Sequence, residues 1–201
     1  MPIRILLSSY GLETPIMAEK FSKIIPQGRS LKRKKCVILP YAGSDLAKTG
    51  EIETQNLINF GFSKKNIYVA NDYGAFKCNF PDYIYVPCGD PFKLLRHIRR
   101  TNLHSCIDNI VIKQKAVFIG VSAGAYIATN NIKYVTKLED NNEIADDDFE
   151  ALSLIPENVI CHYDHYSYAA FKDCSEEYGS DILSIKDDQL LMFVNGEYQY
   201  I

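Results

Sequence analysis

One serine lies where a strand-to-helix turn could present it as a nucleophile. Residues 116–121 form a short apolar run, which predicts a buried strand, and residues 123–131 predict the start of a helix. The sequence Gly-Val-Ser-Ala-Gly at 120–124 spans this junction and matches the G-x-S-x-G nucleophile elbow. Its small residues are needed because a tight turn brings backbone close to the serine, and the helix start would favour developing negative charge. We therefore predict Ser122 as a nucleophile for acyl transfer, the alternative being a turn that is merely tight.

A serine nucleophile needs a general base, and the base needs a group that orients it. Of the four histidines, His97 lies in a predicted helix among arginines and His104 lies in a loop. His162 and His165 follow a short apolar run at 159–161, where a strand would deliver a base to the edge of a sheet. His162, the nearer to that strand, is the predicted base, the alternative being a partly buried structural histidine.

The tetrahedral intermediate of acyl transfer needs backbone N–H donors. The N–H of Ala123, directly after the candidate nucleophile, is one candidate. The turn at 88–90 offers a second through Gly89, since a glycine lets the backbone approach a ligand closely. The alternative for this loop is an ordinary strand–helix turn.

Strands alternating with helices predict a parallel sheet covered on both faces, with sites at the carboxyl ends of its strands. That topology would bring Ser122 and the 88–90 turn to the same edge. The predicted strands are 3–8, 36–39, 66–70, 83–86, 116–121, 159–163, 182–185, 190–194 and 198–201. The predicted helices are 15–25, 49–60, 92–101, 108–113, 123–131 and 166–177, with Gly61 as a C-cap and Asn195-Gly196 as a hairpin turn.

Composition and charge exclude several function classes. The chain has 201 residues, of which 47% are hydrophobic and 23% charged, so a single domain over 1–201 with a sizeable core is expected. A net charge of -3 and a pI near 5.8 provide no basic field for nucleic acid or anionic membrane. No apolar run approaches the roughly 20 residues of a membrane helix, and the N-terminus lacks the layout of a signal peptide. The six scattered cysteines, with no C-x-x-C pair, predict reduced thiols of a cytoplasmic protein.

Four segments in chain order form a specific combination. They are residues 4–11 (RILLSSYG), 85–95 (YVPCGDPFKLL), 120–125 (GVSAGA) and 149–156 (FEALSLIP) followed by His162-Tyr163. Together they resemble the aspartyl dipeptidase and cyanophycinase family of serine peptidases, across nearly the whole chain. The resemblance implies a class I glutamine amidotransferase-like fold, which is a three-layer αβα sandwich with a mostly parallel central sheet.

The resemblance also implies roles for individual residues. It implies Ser122 as nucleophile, His162 as general base and the 88–90 turn as part of the oxyanion hole. Asp90 stands in that turn where the family usually has asparagine, and we predict that it contacts substrate. The acidic partner would lie before the last hairpin, where Asp187 is the candidate. The alternatives for the acid are Asp188, Glu139 and Asp140.

One absence bears on specificity. Aspartyl dipeptidases hold the aspartyl carboxylate of the substrate with an arginine downstream of the histidine, and this chain has no arginine after Arg100. Lys172 could supply a positive charge but not the bidentate fork of a guanidinium. Aspartyl specificity is therefore not expected, although the peptidase chemistry is.

The sequence thus predicts a cytoplasmic serine hydrolase that acts on short peptides or small amides. No cofactor and no metal are implied, since the acidic stretch at 137–150 fixes no ligand geometry and is typical of a solvated loop. A homodimer is left open. Two alternatives are an amidotransferase-like hydrolase or acyl transferase, against which a serine in place of cysteine argues, and a non-catalytic protein that binds a small molecule on the same fold.

Overall fold

A seven-stranded, mostly parallel sheet lies at the centre of the protein. The computed structural model describes residues 4–70, 80–138, 148–165, 168–178 and 182–201. In these ranges the strands are β1 (Arg4–Ser8), β2 (Cys36–Ile38), β3 (Ile67–Val69), β4 (Tyr83–Val86), β5 (Val117–Val121), β6 (Asn158–Ile160), β7 (Ile182–Ser184), β8 (Leu190–Val194) and β9 (Glu197–Tyr200). The α-helices are α1 (Pro15–Ile24), α2 (Leu46–Phe60), α3 (Pro91–Arg100), α4 (Leu103–Asp108), α5 (Ala123–Tyr126) and α6 (Tyr168–Tyr178).

The strand order brings three strand ends together. The order across the sheet is β3-β2-β4-β5-β1-β8-β9, in which β8 pairs antiparallel with both β1 and β9 and the first five strands pair in parallel. Strand β5 therefore lies between β4 and β1, so their three carboxyl ends are neighbours at one edge of the sheet. This arrangement confirms the predicted mostly parallel sheet, and it places the exit of β5 at the middle of that edge.

Both faces of the central strands are buried, as their continuous apolar sequences predict, whereas the edge strand β9 is exposed. Alternate residues of β1 and β5 point to opposite sides because side chains alternate along a strand. Leu7 and Phe118 pack in a cluster with α3, α4 and α5, whereas Leu6 and Ile119 pack in a second cluster with α1 and α2. The two clusters and the sheet between them form the expected three layers.

Local sequence signals account for several of the helix ends. The side chains of Thr14 and Asp45 cap the N-termini of α1 and α2, and Gly61 ends α2 with a φ of 124°. The cap at Asp45 makes α2 begin at Leu46, three residues earlier than its apolar spacing predicts. The turn at Asn195 and Gly196 has positive φ at both residues, which confirms the predicted hairpin.

The helix after Ser122 is shorter than predicted. We expected it to extend to residue 131, but α5 ends at Tyr126. The carbonyls of residues 127–130 instead accept hydrogen bonds from N–H groups of residues 151–155. Because this long-range pairing replaces the next helical turn, α5 provides backbone N–H groups at its start but little of the helix dipole that a longer helix would have.

Two other regions also differ from the prediction. The apolar run that begins near residue 159 does not join the central sheet, since β6 pairs in parallel with β7 as a separate two-stranded sheet. The short helix predicted at 108–113 is instead α4 at 103–108, continued by a π-helical turn over Asn109–Lys113. Among the described residues, no helix is both long and apolar enough to cross a membrane.

Candidate active site

Ser122 occupies a strained turn directly after β5. Its φ of 48° and ψ of -101° are rare for a residue other than glycine, and such strain is typical of a nucleophile elbow. Its N–H donates to the Ser8 carbonyl at 2.8 Å, and its carbonyl accepts from the N–H groups of Ala125 and Tyr126. The backbone of the turn is thus fixed both to β1 and to α5.

The two glycines of the elbow are required by close backbone contacts. A Cβ at Gly120 would lie 2.4 Å from the Gly124 carbonyl oxygen, and one at Gly124 would lie 2.3 Å from the Val86 carbonyl oxygen. Neither contact can be relieved by a side-chain rotation, since both involve backbone atoms. The structure therefore supports the steric reason for small residues that the sequence suggested, and it packs the elbow directly against β4.

His162 and Asp187 are brought together by the small β6–β7 sheet. His162 follows β6 and Asp187 follows β7, and His162 Nδ1 lies 2.8 Å from Asp187 Oδ1. The ladder continues past both strands, because the Ile185 N–H donates to the Ile160 carbonyl. An ionised carboxylate only accepts hydrogen bonds, so the proton lies on Nδ1 and the Nε2 of His162 carries the lone pair that a general base needs.

The same carboxylate has a second histidine partner. His165 Nε2 lies 2.6 Å from Asp187 Oδ2, and the His165 side chain is 62% exposed to solvent. Burial acts to raise the pKa of Asp187, but the hydrogen bonds with His165 and His162 outweigh it and hold the pKa below its usual value. Asp187 is therefore ionised at neutral pH and carries a negative charge between two imidazoles.

A chain of contacts places His162 beside the elbow. The preceding residue, Cys161, is fully buried, and its Sγ lies 3.9 Å from the Ser122 carbonyl oxygen and 3.8 Å from that of Ser8. The ring of Tyr10 packs edge-on against the His162 imidazole at 5.0 Å between centroids. The structure thus brings Ser122, His162 and Asp187, which were selected from the sequence, to the same edge of the sheet.

Ser9 is a buried residue of this site for which the sequence patterns predicted no role. Its Oγ accepts a hydrogen bond from the His162 N–H at 2.8 Å and donates one to the Ile185 carbonyl at 2.9 Å. His162 has a φ of 54°, so its backbone is held in an uncommon conformation at this contact. A hydroxyl at the exit of β1 thereby joins the central sheet to the segments that carry His162 and Asp187. The signal available in the sequence was a serine directly after the predicted strand at 3–8.

The loop after β4 supplies the second candidate backbone donor. Gly89 has a φ of 143°, and a Cβ there would lie 2.3 Å from the Ala42 carbonyl oxygen, so the position requires glycine. Within the described residues, the N–H groups of Gly89 and Ala123 donate no hydrogen bond; Gly89 is exposed, whereas Ala123 is fully buried. Asp90 caps α3, since its Oδ1 accepts from the N–H groups of Phe92 and Lys93.

Two carboxylates act on the thiol of this loop. Burial raises the pKa of the Cys88 thiol, and the charges of Glu53 and Glu13 raise it further. The Glu13 carboxylate also accepts the Gly11 N–H at 2.9 Å, which holds it near the loop after β1. Burial also raises the pKa of Glu53 itself and so disfavours its charge, which leaves the Glu13 carboxylate as the like charge that an acidic group would meet near this turn.

The remaining candidates lie elsewhere. Asp188 is exposed and its carboxylate makes no hydrogen bond within the described part of the chain. Lys172 pairs with Glu176 one helical turn away on α6, with more than half of each side chain exposed. His97 stacks on Tyr41 at 3.6 Å, so it is not on the fully solvated face that the sequence suggested. Glu139 and Asp140 lie outside the described residues.

The fold as a whole resembles those of solved peptidases. A crystal structure of a Listeria monocytogenes protein assigned to peptidase E matches with a TM-score of 0.80 at 20% identity, covering 100% of this chain and 98% of that one. A peptidase from an acI-B1 Actinobacterium matches with a TM-score of 0.71 at 18% identity, covering 100% and 88%. At these identities the likeness concerns the fold, and it confirms the class I glutamine amidotransferase-like architecture.

Curated sequences point to the same group of proteins. An uncharacterized peptidase of Pasteurella multocida is 31% identical over 123 residues, which is 60% of this chain and 59% of the relative. A Drosophila melanogaster protein named "Probable alpha-aspartyl dipeptidase" is 28% identical over 135 residues, covering 67% and 55%. This chain spans about half the length of the curated relatives it matches. The model of peptidase family S51 matches residues 5–201. The chain belongs to peptidase family S51, as the resemblance implied.

Proposed function

We propose that this protein is a serine peptidase that cleaves short peptides with Ser122 as nucleophile, His162 as general base and Asp187 as the acid that orients the base. The observation that carries the proposal is the 2.8 Å hydrogen bond between His162 Nδ1 and Asp187 Oδ1. It fixes the tautomer in which Nε2 can accept a proton, at the sheet edge where Ser122 lies. A fluorophosphonate probe should therefore label Ser122 in the folded protein.

The proposed reaction proceeds through an acyl-enzyme. Ser122 Oγ attacks the peptide carbonyl carbon while His162 Nε2 takes the hydroxyl proton, which leaves an imidazolium beside the Asp187 carboxylate. The imidazolium then gives its proton to the leaving amine as the C–N bond breaks. Water attacks the ester in the second half by the same proton transfers, which releases the acid product and restores the Ser122 hydroxyl.

The oxyanion that forms in each half needs donors on the side opposite His162. We propose the N–H groups of Ala123 and Gly89, one from each side of the junction between β5 and β4. Neither N–H donates a hydrogen bond within the described residues, and Gly89 is held by its close approach to Ala42. Asp90 fixes this loop through its cap of α3, and its contact with substrate stays a prediction.

A non-catalytic binding protein on the same fold is the alternative function. It would be favoured by a missing acidic partner, and the hydrogen bond between His162 and Asp187 argues against it. An amidotransferase-like glutaminase is disfavoured because such enzymes of this fold use a cysteine nucleophile where this chain has Ser122. Absence of fluorophosphonate labelling in folded protein would favour the binding protein.

We further propose that the protein does not prefer aspartyl dipeptides over neutral ones. The family's downstream arginine is absent, and Lys172 pairs with Glu176 on an exposed helix face. In addition, Glu13 and Glu53 both act on the thiol of Cys88, beside the proposed oxyanion donor Gly89. Since burial disfavours the charged form of Glu53, the Glu13 carboxylate is the group expected to repel an acidic substrate side chain on this side.

This reasoning predicts the relative rates of three dipeptides. A charged hydrogen-bonded pair is worth about 1.5–3 kcal/mol, or roughly 10- to 150-fold in rate. We therefore expect kcat/KM for Asp-Leu to be less than roughly 10-fold higher than kcat/KM for Ala-Leu or Asn-Leu, measured at one pH and ionic strength. Glu13→Gln keeps an acceptor for the Gly11 N–H and should raise the ratio of Asp-Leu to Ala-Leu. A strong preference for Asp-Leu, lost on mutating Lys172 or an upstream arginine, would contradict the proposal.

Replacing Ser9 by alanine tests whether the link between β1 and the His162 segment matters for catalysis. The change leaves the His162 N–H without its buried acceptor and frees an uncommon backbone conformation, so the imidazole should move. Misplacement of a catalytic group can cost about 100-fold, and we expect a loss of roughly 10- to 100-fold in kcat with a smaller change in KM. Steady-state kinetics at equal concentrations of folded protein measure the changes in kcat and in KM separately.

The neighbouring Ser8 provides a matched control. It is as buried as Ser9, but its hydroxyl makes no hydrogen bond within the described residues. Ser8→Ala should therefore leave kcat and the free energy of unfolding nearly unchanged. If Ser9→Ala lowers the free energy of unfolding but not kcat, or if both variants lose kcat equally, the positioning role of Ser9 is wrong.

Location and assembly stay predictions. The five cysteines of the described residues form no disulfide with one another, which is consistent with the predicted reducing, cytoplasmic location. A homodimer in solution would be detected by light scattering coupled to size-exclusion chromatography.

A further inference from the structure

A cluster of three metal-ligand side chains lies at the outer side of the site. His162 and His165 are three residues apart, and Tyr163–His165 forms a single 3₁₀ turn. The His165 N–H donates to the His162 carbonyl at 2.8 Å, and both imidazoles reach the carboxylate of Asp187. The centroids of the two rings are 6.0 Å apart, and one donor atom from each of His162, His165 and Asp187 lies within 4.8 Å of the other two.

The chemistry of this donor set suits a borderline transition-metal ion. Two imidazole nitrogens and a carboxylate oxygen are ligands that Zn²⁺ binds at about 2.0–2.2 Å, with a fourth position left for water. The two oxygens of Asp187 lie 2.8 Å from His162 Nδ1 and 2.6 Å from His165 Nε2, so the carboxylate already faces both rings. Small movements are enough to convert the present hydrogen bonds into three bonds to one ion, and the exposed His165 gives the ion access from solvent.

We propose that His162, His165 and Asp187 form a Zn²⁺-binding site whose occupation switches the peptidase off. The binding step rests on the cluster alone, and its effect on catalysis rests on the proposed function. Zinc would take Nδ1 of His162, the nitrogen that now donates to Asp187.

The inhibition follows from the protonation of one ring. A neutral imidazole has one N–H, and in the resting site it lies on Nδ1. When zinc binds Nδ1, that proton leaves for solvent and a proton is taken up at Nε2, so the ring stays neutral with no net release. His162 Nε2 is then an N–H donor and has no lone pair for the Ser122 proton. Asp187 is at the same time removed from the base that it orients.

Zinc binding and zinc inhibition are tested separately on the full chain. Calorimetric titration with Zn²⁺ alone should give one saturable site in the wild-type protein. His165→Ala removes an exposed ligand without touching the core, and it should weaken both binding and inhibition by at least the roughly 10- to 100-fold typical of losing an outer partner of a metal. Mg²⁺, which prefers oxygen ligands and keeps its water, should not compete.

Two matched controls identify the site. His104→Ala removes another exposed histidine and should leave zinc binding and hydrolysis unchanged. Cys88→Ser removes the exposed thiol near the site and should leave zinc binding unchanged. The site is overturned by no saturable binding below about 1 mM Zn²⁺, by equal binding to His165→Ala, or by binding that is lost in Cys88→Ser.

The two parts of the proposal fail differently. Binding that depends on His165 while dipeptide hydrolysis continues at saturating Zn²⁺ would overturn the inhibition. A wild-type protein that hydrolyses no peptide would overturn the proposed function, and the calorimetric titrations would still decide the metal site.

Discussion

Ser122→Ala is expected to remove hydrolysis while leaving the fold intact. The hydroxyl is the proposed nucleophile, and loss of the serine from hydrolases of this kind costs roughly 10⁴-fold or more in kcat. Alanine keeps the Cβ of serine, so the positive φ of 48° is no more strained than before. The backbone bonds to Ser8, Ala125 and Tyr126 involve no side-chain atom and should persist.

The experiment compares kcat with a measure of folding. Hydrolysis of a dipeptide such as Ala-Leu is followed for both proteins, and thermal unfolding is recorded under the same conditions. An unchanged unfolding midpoint with hydrolysis and fluorophosphonate labelling both lost is the expected result. Activity near that of the wild type would eliminate Ser122 as the nucleophile.

The elbow could be predicted from the sequence because its determinants are local. Strand, turn and small residues all lie within 116–126, and the steric demand on Gly120 and Gly124 arises within the turn and from the adjacent strand. The main sheet could likewise be predicted, since alternating apolar strands and helices constrain the topology. The candidate residues Ser122 and Gly89 followed from these patterns.

The surroundings of His162 could not be predicted in the same way because they depend on distant pairing. Ser9 and Ile185 are separated by 176 residues, and no local pattern shows that one hydroxyl bonds to both the His162 and Ile185 segments. The pairing of β6 with β7 outside the main sheet is also non-local. For the same reason α5 was predicted too long, since its end is set by hydrogen bonds with residues 151–155.

Asp187 was suggested by family resemblance rather than by any rule of spacing. An aspartate in a Lys-Asp-Asp-Gln turn has the composition of an ordinary surface loop, and Asp188 beside it has the same chemistry. The two aspartates differ in the direction of their side chains, because only the carboxylate of Asp187 reaches the two imidazoles. That direction depends on how β7 pairs with β6. No pattern in a single sequence shows which residues of the two strands are paired.

His162→Ala should lose as much activity as Ser122→Ala, whereas His165→Ala should lose far less. Both histidines bond to Asp187, so the carboxylate alone does not identify the base. His162 is three-quarters buried in its side chain, follows the fully buried Cys161 and packs against Tyr10, beside the elbow. His165 is one 3₁₀ turn further out and mostly in solvent.

The expected losses in kcat differ by orders of magnitude because the two imidazoles have different proposed roles. Without His162 no group accepts the Ser122 proton, and the loss in kcat should again be roughly 10⁴-fold or more. Without His165 the carboxylate loses one solvent-exposed partner, which is worth about 1 kcal/mol or less, or roughly fivefold in rate. The two variants are compared by kcat at equal folded concentration. If His165→Ala is the inactive variant, then His165 is the base, and the roles proposed for His162 and Ser9 are wrong.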